Sequence, residues 1–179
     1  DDFGLVGMIF VFFAVAEVFI HGGFGQAYVQ KKHATDLDAN TIFYTNLFIS
    51  VLLYVALFYG APGIAKFYNH PELVSLTRIM GLVIIINAFN VIQHALIARA
   101  VDFKRKTKIT LIGTLISGSI GIVSVYQGLG VWALVIQSLT NRLVISFGFW
   151  ITTPWKPGLR FSLQSFRELF AFGSWILFS

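Results

Sequence analysis

The sequence predicts an all-α polytopic membrane protein, and three observations carry that prediction. The 179-residue chain is 56% hydrophobic and 12% charged, about half the charged share of a soluble domain, with a mean hydropathy of +0.77. Its apolar residues gather in long stretches, each close to the roughly 20 residues that a hydrocarbon core about 30 Å thick asks of a helix. Its cations fall almost entirely into alternate gaps between those stretches. One soluble core cannot hide this much apolar side chain, so the surplus faces acyl chains.

Five windows are long enough to span: 4–27, 41–61, 79–98, 108–127 and 131–152, with the start of a sixth at Leu169 to Ser179. The first closes on Gly22-Gly23-Phe24-Gly25, where missing side chains loosen or kink a helix. No strand context accompanies these glycines, so they are not a phosphate-binding loop. In the fourth, Gly113, Ser117 and Gly121 recur every four residues, placing small side chains on one face where a neighbouring backbone can approach. The chain opens at Asp1-Asp2-Phe3-Gly4 with neither initiator Met nor basic leader, and reads as an internal fragment lacking something at both ends.

Charge sets the orientation. Lys31 and Lys32 follow the first window, Arg99, Lys104, Arg105, Lys106 and Lys108 follow the third, and Lys156, Arg160 and Arg167 follow the fifth. The opposite face has Lys66, Arg78 and the uncharged turn Gln127-Gly128-Leu129-Gly130. By the positive-inside rule the basic face is cytoplasmic, and Asp1 lies outside. The net charge of +5 is thereby explained as orientation and contact with anionic headgroups, with no nucleic-acid partner. Tyr126, Trp132, Trp150 and Trp155 sit near window ends and read as interfacial anchors.

Polar groups inside the windows carry the functional argument. Arg142 is the twelfth residue of window 131–152, where a guanidinium costs about 2.5–3.5 kcal/mol on insertion scales. It either locks helices together through a carboxylate or carbonyl, or offers a fixed cation to an anionic substrate. The second reading is preferred because intramembrane charges usually mark pathways. Gln137 and Asn141, one turn apart, join it in a polar sector. Asn87, Asn90 and His94 form a stripe at i, i+3 and i+7 in the third window, with Gln93 beside it and Arg99 below. Each alone reads as helix glue; together they turn a polar face to the bundle interior. Glu17 and His21 share a face of the first window, and Glu17 is the only acidic side chain inside any window. Three readings of Glu17 stay open: the partner of Arg142, a site for a coupling H+ or Na+, or a protonated carboxyl satisfied by a neighbour.

The chain has no cysteine, and no Ser-His-Asp, paired-carboxylate or metal-binding motif appears. No cofactor, metal or enzymatic activity is expected, and a transporter interior explains these polar groups better than an active site.

Seven segments in order carry a resemblance: DDFGLVGM (1–8), GGFGQAYVQKK (22–32), NTIFYTNLF (40–48), LFYGAPGIAKFYNHPEL (57–73), QHALIARAVDFKR (93–105), GLGVWALVIQ (128–137) and RELFAFGS (167–174). Their succession resembles the polysaccharide transporter, or Wzx-type flippase, family of the multidrug/oligosaccharidyl-lipid/polysaccharide exporter superfamily, nearest its lipopolysaccharide and teichuronic acid exporter branch. The resemblance implies a fragment of a two-lobe helical transporter in the bacterial cytoplasmic membrane. Residues 1–153 would be the amino-terminal lobe without its first helix, 154–168 the cytoplasmic connection, and 169–179 the start of the second lobe. It also implies alternating-access translocation of a lipid-linked oligosaccharide, generally on undecaprenyl pyrophosphate. Arg142, Arg99, His94, Asn90, Asn87, Gln137 and Asn141 are the candidate headgroup residues and Glu17 with His21 the candidate coupling pair. These roles rest on charge and depth, since no family motif fixes them. The alternatives are a multidrug cation antiporter of the same superfamily and a membrane-embedded glycan polymerase.

Overall fold

The computed structural model describes residues 24–168 together with Gly4, Gly7, Phe13, Ala14 and Phe170. Among the described residues the principal helices are, in order, α1 (Phe24–Gln30), α2 (Asp36–Tyr68), α3 (Leu73–Met80), α4 (Leu82–Phe89), α5 (Val91–Arg99), α6 (Phe103–Tyr126) and α7 (Val131–Thr152). Helices α2, α6 and α7 are each long and apolar enough to cross a bilayer. Helices α3 to α5 make a fourth crossing if taken as one broken span, bent by 40° at Asn90. Windows two to five thus appear as helices. Of the first window the helix α1 is described, and of the sixth only Phe170 is among the described residues.

Helix α2 outruns its hydropathy window at both ends because capping and neighbours extend it. Thr35 accepts from the Asp38 backbone N–H while the Asp38 carboxylate accepts from the Thr35 N–H, a reciprocal capping box that satisfies two otherwise orphaned donors. At the far end Asn69 closes the helix in the left-handed region, φ 58°. Pro62 lies inside the last third and has no N–H to offer the Phe58 carbonyl one turn earlier. Arg78 of α3 supplies the missing donor, its Nε 3.3 Å from that oxygen, with its guanidinium 4.2 Å from the Phe58 ring centre. A charge that hydropathy assigns only to the outer surface therefore repairs a helix.

Helices α6 and α7 pack through glycines on both sides. A Cβ on Gly113 would stand 2.6 Å from Ile145 Cγ1, and one on Gly148 2.7 Å from Ile109 Cγ2, so each helix receives the other's branched side chain where it has none. Gly113, Ser117 and Gly121 are all buried, as the four-residue spacing predicts. Gly128 at φ 75° and Gly130 at φ 52° make the intervening turn, a backbone that side chains resist. The outer faces carry Leu111, Leu115, Val123, Leu143 and Phe147 exposed, a surface suited to lipid.

The main core joins α1 to α5 with Val131, Val135 and Trp155. Phe43 is its hub, with ring centres at 5.7 Å to Phe89, 6.1 Å to Trp150 and 5.8 Å to Trp155. Trp155 is accordingly buried, where the sequence suggests an interfacial anchor; Tyr126, by contrast, is exposed at the opposite end.

The three basic gaps meet at one end of the bundle. Arg99 donates to the Tyr28 and Lys31 carbonyls, 2.8 Å each, and Arg105 to the Thr152 carbonyl at 3.0 Å. The segment after α7 folds back on α2: the Gly158 N–H donates to Asn40 Oδ1 and the Ser162 N–H to Thr41 Oγ1. Lys31 bridges Asp38 at 3.0 Å and Glu168 at 3.2 Å. Burial alone would lower the pKa of the Lys31 ammonium, but its hydrogen bonds and charge attraction to Asp38 and Glu168 outweigh that and raise it above the usual lysine value.

Candidate functional site

A cavity of about 450 Å³ opens between α1, the broken span and α7. Gly25, Gln26 and Val29 line it from α1, Asn87 from α4, His94, Ala95 and Ala98 from α5, Lys106 from α6 and Arg142 from α7. The broken span explains how polar groups reach it. At Gly81 a Cβ would meet the Tyr54 ring at 2.8 Å, which fixes a glycine at the first break. At the second, Asn90 Nδ2 donates to the Ile86 carbonyl at 2.9 Å, while its Oδ1 accepts from Ser146 of α7 at 3.0 Å. One amide thus caps the upper segment and ties it to α7, which is how irregular backbone is tolerated at membrane depth.

Of the sequence-predicted residues, the structure brings Arg142, His94 and Asn87 into this one cavity. The His94 ring meets Phe149 edge-on at 4.4 Å, and none of the three is without a partner. Asn90 lies beside the cavity, engaged as described. The others go elsewhere. Arg99 turns away to cap the end of α1 through the Tyr28 and Lys31 carbonyls, its guanidinium 5.4 Å from the Tyr28 ring centre. Asn141 donates to Ser117 Oγ at 3.1 Å, and Gln137 packs over Gly121, so both serve the α6 interface. Helical geometry accounts for the division: Gln137 and Asn141 share a face, whereas Arg142 is rotated by about 100° from Asn141. Glu17 and His21 lie outside the described residues.

Sequence reasoning missed Lys106 and Gln26 as lining residues. Lys106 hid within a basic run explained by orientation, and nothing in spacing alone singles it out. Gln93 is fully buried with neither amide atom bonded among the described residues, so the polar character of this span extends behind the cavity wall.

Among the described residues the charged groups lining the cavity are both cations. Lys106 is the fourth residue of α6, close to the basic end, and Arg142 lies ten residues inside the matching end of α7, about 15 Å from that end and so about 10 Å deeper than Lys106 at 1.5 Å per residue. Two fixed positive charges at different depths, with imidazole and amide groups between, suit an anion with several oxygen acceptors. Among the described residues no cluster could hold a metal ion.

Long apolar helices with lipid-facing side chains, around a cavity with a buried-depth cation, define a multi-pass α-helical membrane protein. The chain belongs to the family described as "Polysaccharide biosynthesis protein", whose model matches residues 1–179. It is 29% identical over 166 residues to the teichuronic acid biosynthesis protein TuaB of Bacillus subtilis (strain 168), covering 92% of this chain and 34% of that protein. It is 26% identical to the succinoglycan biosynthesis transport protein ExoT of Rhizobium meliloti (strain 1021), covering 97% and 35%. To the lipopolysaccharide biosynthesis protein WzxC of Escherichia coli (strain K12) it is 27% identical, covering 98% and 36%. The chain spans about a third of the length of these relatives. No solved structure matches it.

Proposed function

We propose that the protein containing this chain moves a lipid-linked oligosaccharide of the undecaprenyl-pyrophosphate type across the cytoplasmic membrane for surface polysaccharide export. The observation that carries this is the cavity joining Lys106, near the basic end, to Arg142 at mid-span. A diphosphate and a hydrated glycan are costly in hydrocarbon and need such a polar, cationic path, while the prenyl tail stays in lipid. Relatives named for teichuronic acid, succinoglycan and lipopolysaccharide support the substrate class. In this reading residues 1–153 belong to an amino-terminal lobe, 154–168 connect it to a second lobe beginning at 169–179, and the lobes alternate access to the two leaflets. No bond is made or broken. Glu17 and His21 are the proposed coupling pair. Among the described residues the charged lining is Lys106 and Arg142, which weighs against a multidrug cation antiporter.

The test uses the full-length protein in its own bacterium. Deleting the gene, or replacing Arg142 by Ala at normal protein level, should accumulate lipid-linked glycan on the cytoplasmic leaflet. Normal export with Arg142→Ala would remove Arg142 from the path. Unchanged glycan lipid with shortened polymer would point to a polymerase, and the absence of any glycan phenotype to a small-molecule exporter.

A further inference from the structure

A second and larger cavity, of about 880 Å³, lies at the basic end between the start of α2, the end of α5 and the extended segment after α7. We propose that it binds the phosphate-bearing headgroup of an anionic membrane lipid, separately from the translocation path.

Its wall contains Arg105, Lys156, Arg160, Thr153 and Trp155, and their engagements differ. Arg105 is committed to Asp102 at 3.0 Å and to the Thr152 carbonyl, and Lys156 to the Trp150 carbonyl at 2.7 Å and the Trp150 ring. Both shape the wall, and Arg105 neutralises Asp102, which also lines it. The Arg160 guanidinium makes no hydrogen bond or ion pair among the described residues, although it lines the same space. Thr153 and Trp155 contribute other atoms to the wall, while Thr153 Oγ1 and Trp155 Nε1 are buried away from it. The planar Arg160 guanidinium can donate to two oxygens of a phosphate diester at once.

Position selects a lipid over a soluble anion. The cavity lies at the end where all three basic gaps meet, at the level where headgroups sit. Asp36 contributes one opposing carboxylate, so binding depends on Arg160 rather than on a general excess of positive charge.

The experiment titrates purified full-length protein with phosphatidylglycerol or phosphatidylcholine of identical acyl chains, counting bound lipids by native mass spectrometry. One equivalent of phosphatidylglycerol should bind in clear preference to phosphatidylcholine. Arg160→Gln should weaken it about fivefold, the size of one juxtamembrane cation, and Arg160→Lys should retain most of it. Arg167→Gln, on the same face but outside the cavity, should leave it unchanged. Unaltered thermal melting of each variant verifies the fold. Equal binding of the two lipids, or equal losses from Arg160→Gln and Arg167→Gln, would overturn the site as a mere surface field. Displacement of phosphatidylglycerol by inorganic phosphate alone would overturn the lipid in favour of a free-anion site.

Discussion

The α6–α7 pair and the broken span α3–α5 solve the same problem, crossing lipid, in opposite ways. In the pair, Gly113 and Gly148 each receive a branched side chain from the other helix, the backbones stay regular, and polar residues serve the joint, as Asn141 does with Ser117. In the broken span the backbone is interrupted at Gly81 and Asn90, and side chains repair the damage. The difference teaches where function is accommodated. Regular, glycine-tight packing leaves a mostly apolar groove beside Gly118, Gly121 and Gln137, whereas a broken helix both needs polar groups and frees space beside them.

The comparison can be broken most severely at Gly113. Gly113→Leu forces a side chain into Ile145 and should cost about 1–3 kcal/mol or more, seen as lost expression and a lower melting temperature. Gly118→Ala, with no atom within 4 Å of its Cβ, should stay within about 0.5 kcal/mol of the parent. If both substitutions behave alike, close approach is not what holds the pair.

Next comes Arg78→Leu, which leaves the Phe58 carbonyl beside Pro62 without its donor and should cost about 1–3 kcal/mol. Adding Pro62→Ala should recover much of that loss in the same melting assay, because the backbone N–H returns. Asn90→Leu removes the acceptor of the Ser146 hydroxyl and the cap on Ile86. An effect of about 0.6–2 kcal/mol is expected, and its stability loss should be non-additive with Ser146→Ala.

The smallest effect belongs to the basic end. The folded Lys31 pKa is raised above the usual 10.5, so its bridge contributes fully below the unfolded lysine value and is lost as pH climbs through the folded one. Lys31→Gln should therefore cost no more than about 1 kcal/mol at neutral pH. The gap between variant and parent should close under alkaline conditions.

These contrasts track what the sequence discloses. Helix α7 matches its hydropathy window residue for residue, and the Gly113, Ser117 and Gly121 stripe is buried as its spacing requires. Both are local, periodic signals. Gathering of the basic gaps at one end also follows from charge alternation, because alternate loops of a multi-span bundle must share a side. The breaks at Gly81 and Asn90 escape notice because a hydropathy window averages over them. Arg99 and Arg78 were legible as charges, yet the carbonyls they serve, at Tyr28, Lys31 and Phe58, are 20 or more residues distant along the chain and nothing in spacing announces them. The candidate site was half legible for the same reason. Depth identifies Arg142, and periodicity identifies Asn87 and His94, but only tertiary packing adds Lys106 and turns Gln137 and Asn141 toward α6.

The most direct test of a fixed cation at mid-span exploits the absence of cysteine from this chain. In the full-length protein, with any other cysteines removed, Arg142→Cys should lose glycan export. Treatment with a methanethiosulfonate carrying an ammonium group should restore it, and one carrying a sulfonate should not. Normal export by Arg142→Cys, or equal rescue by both reagents, would contradict the account.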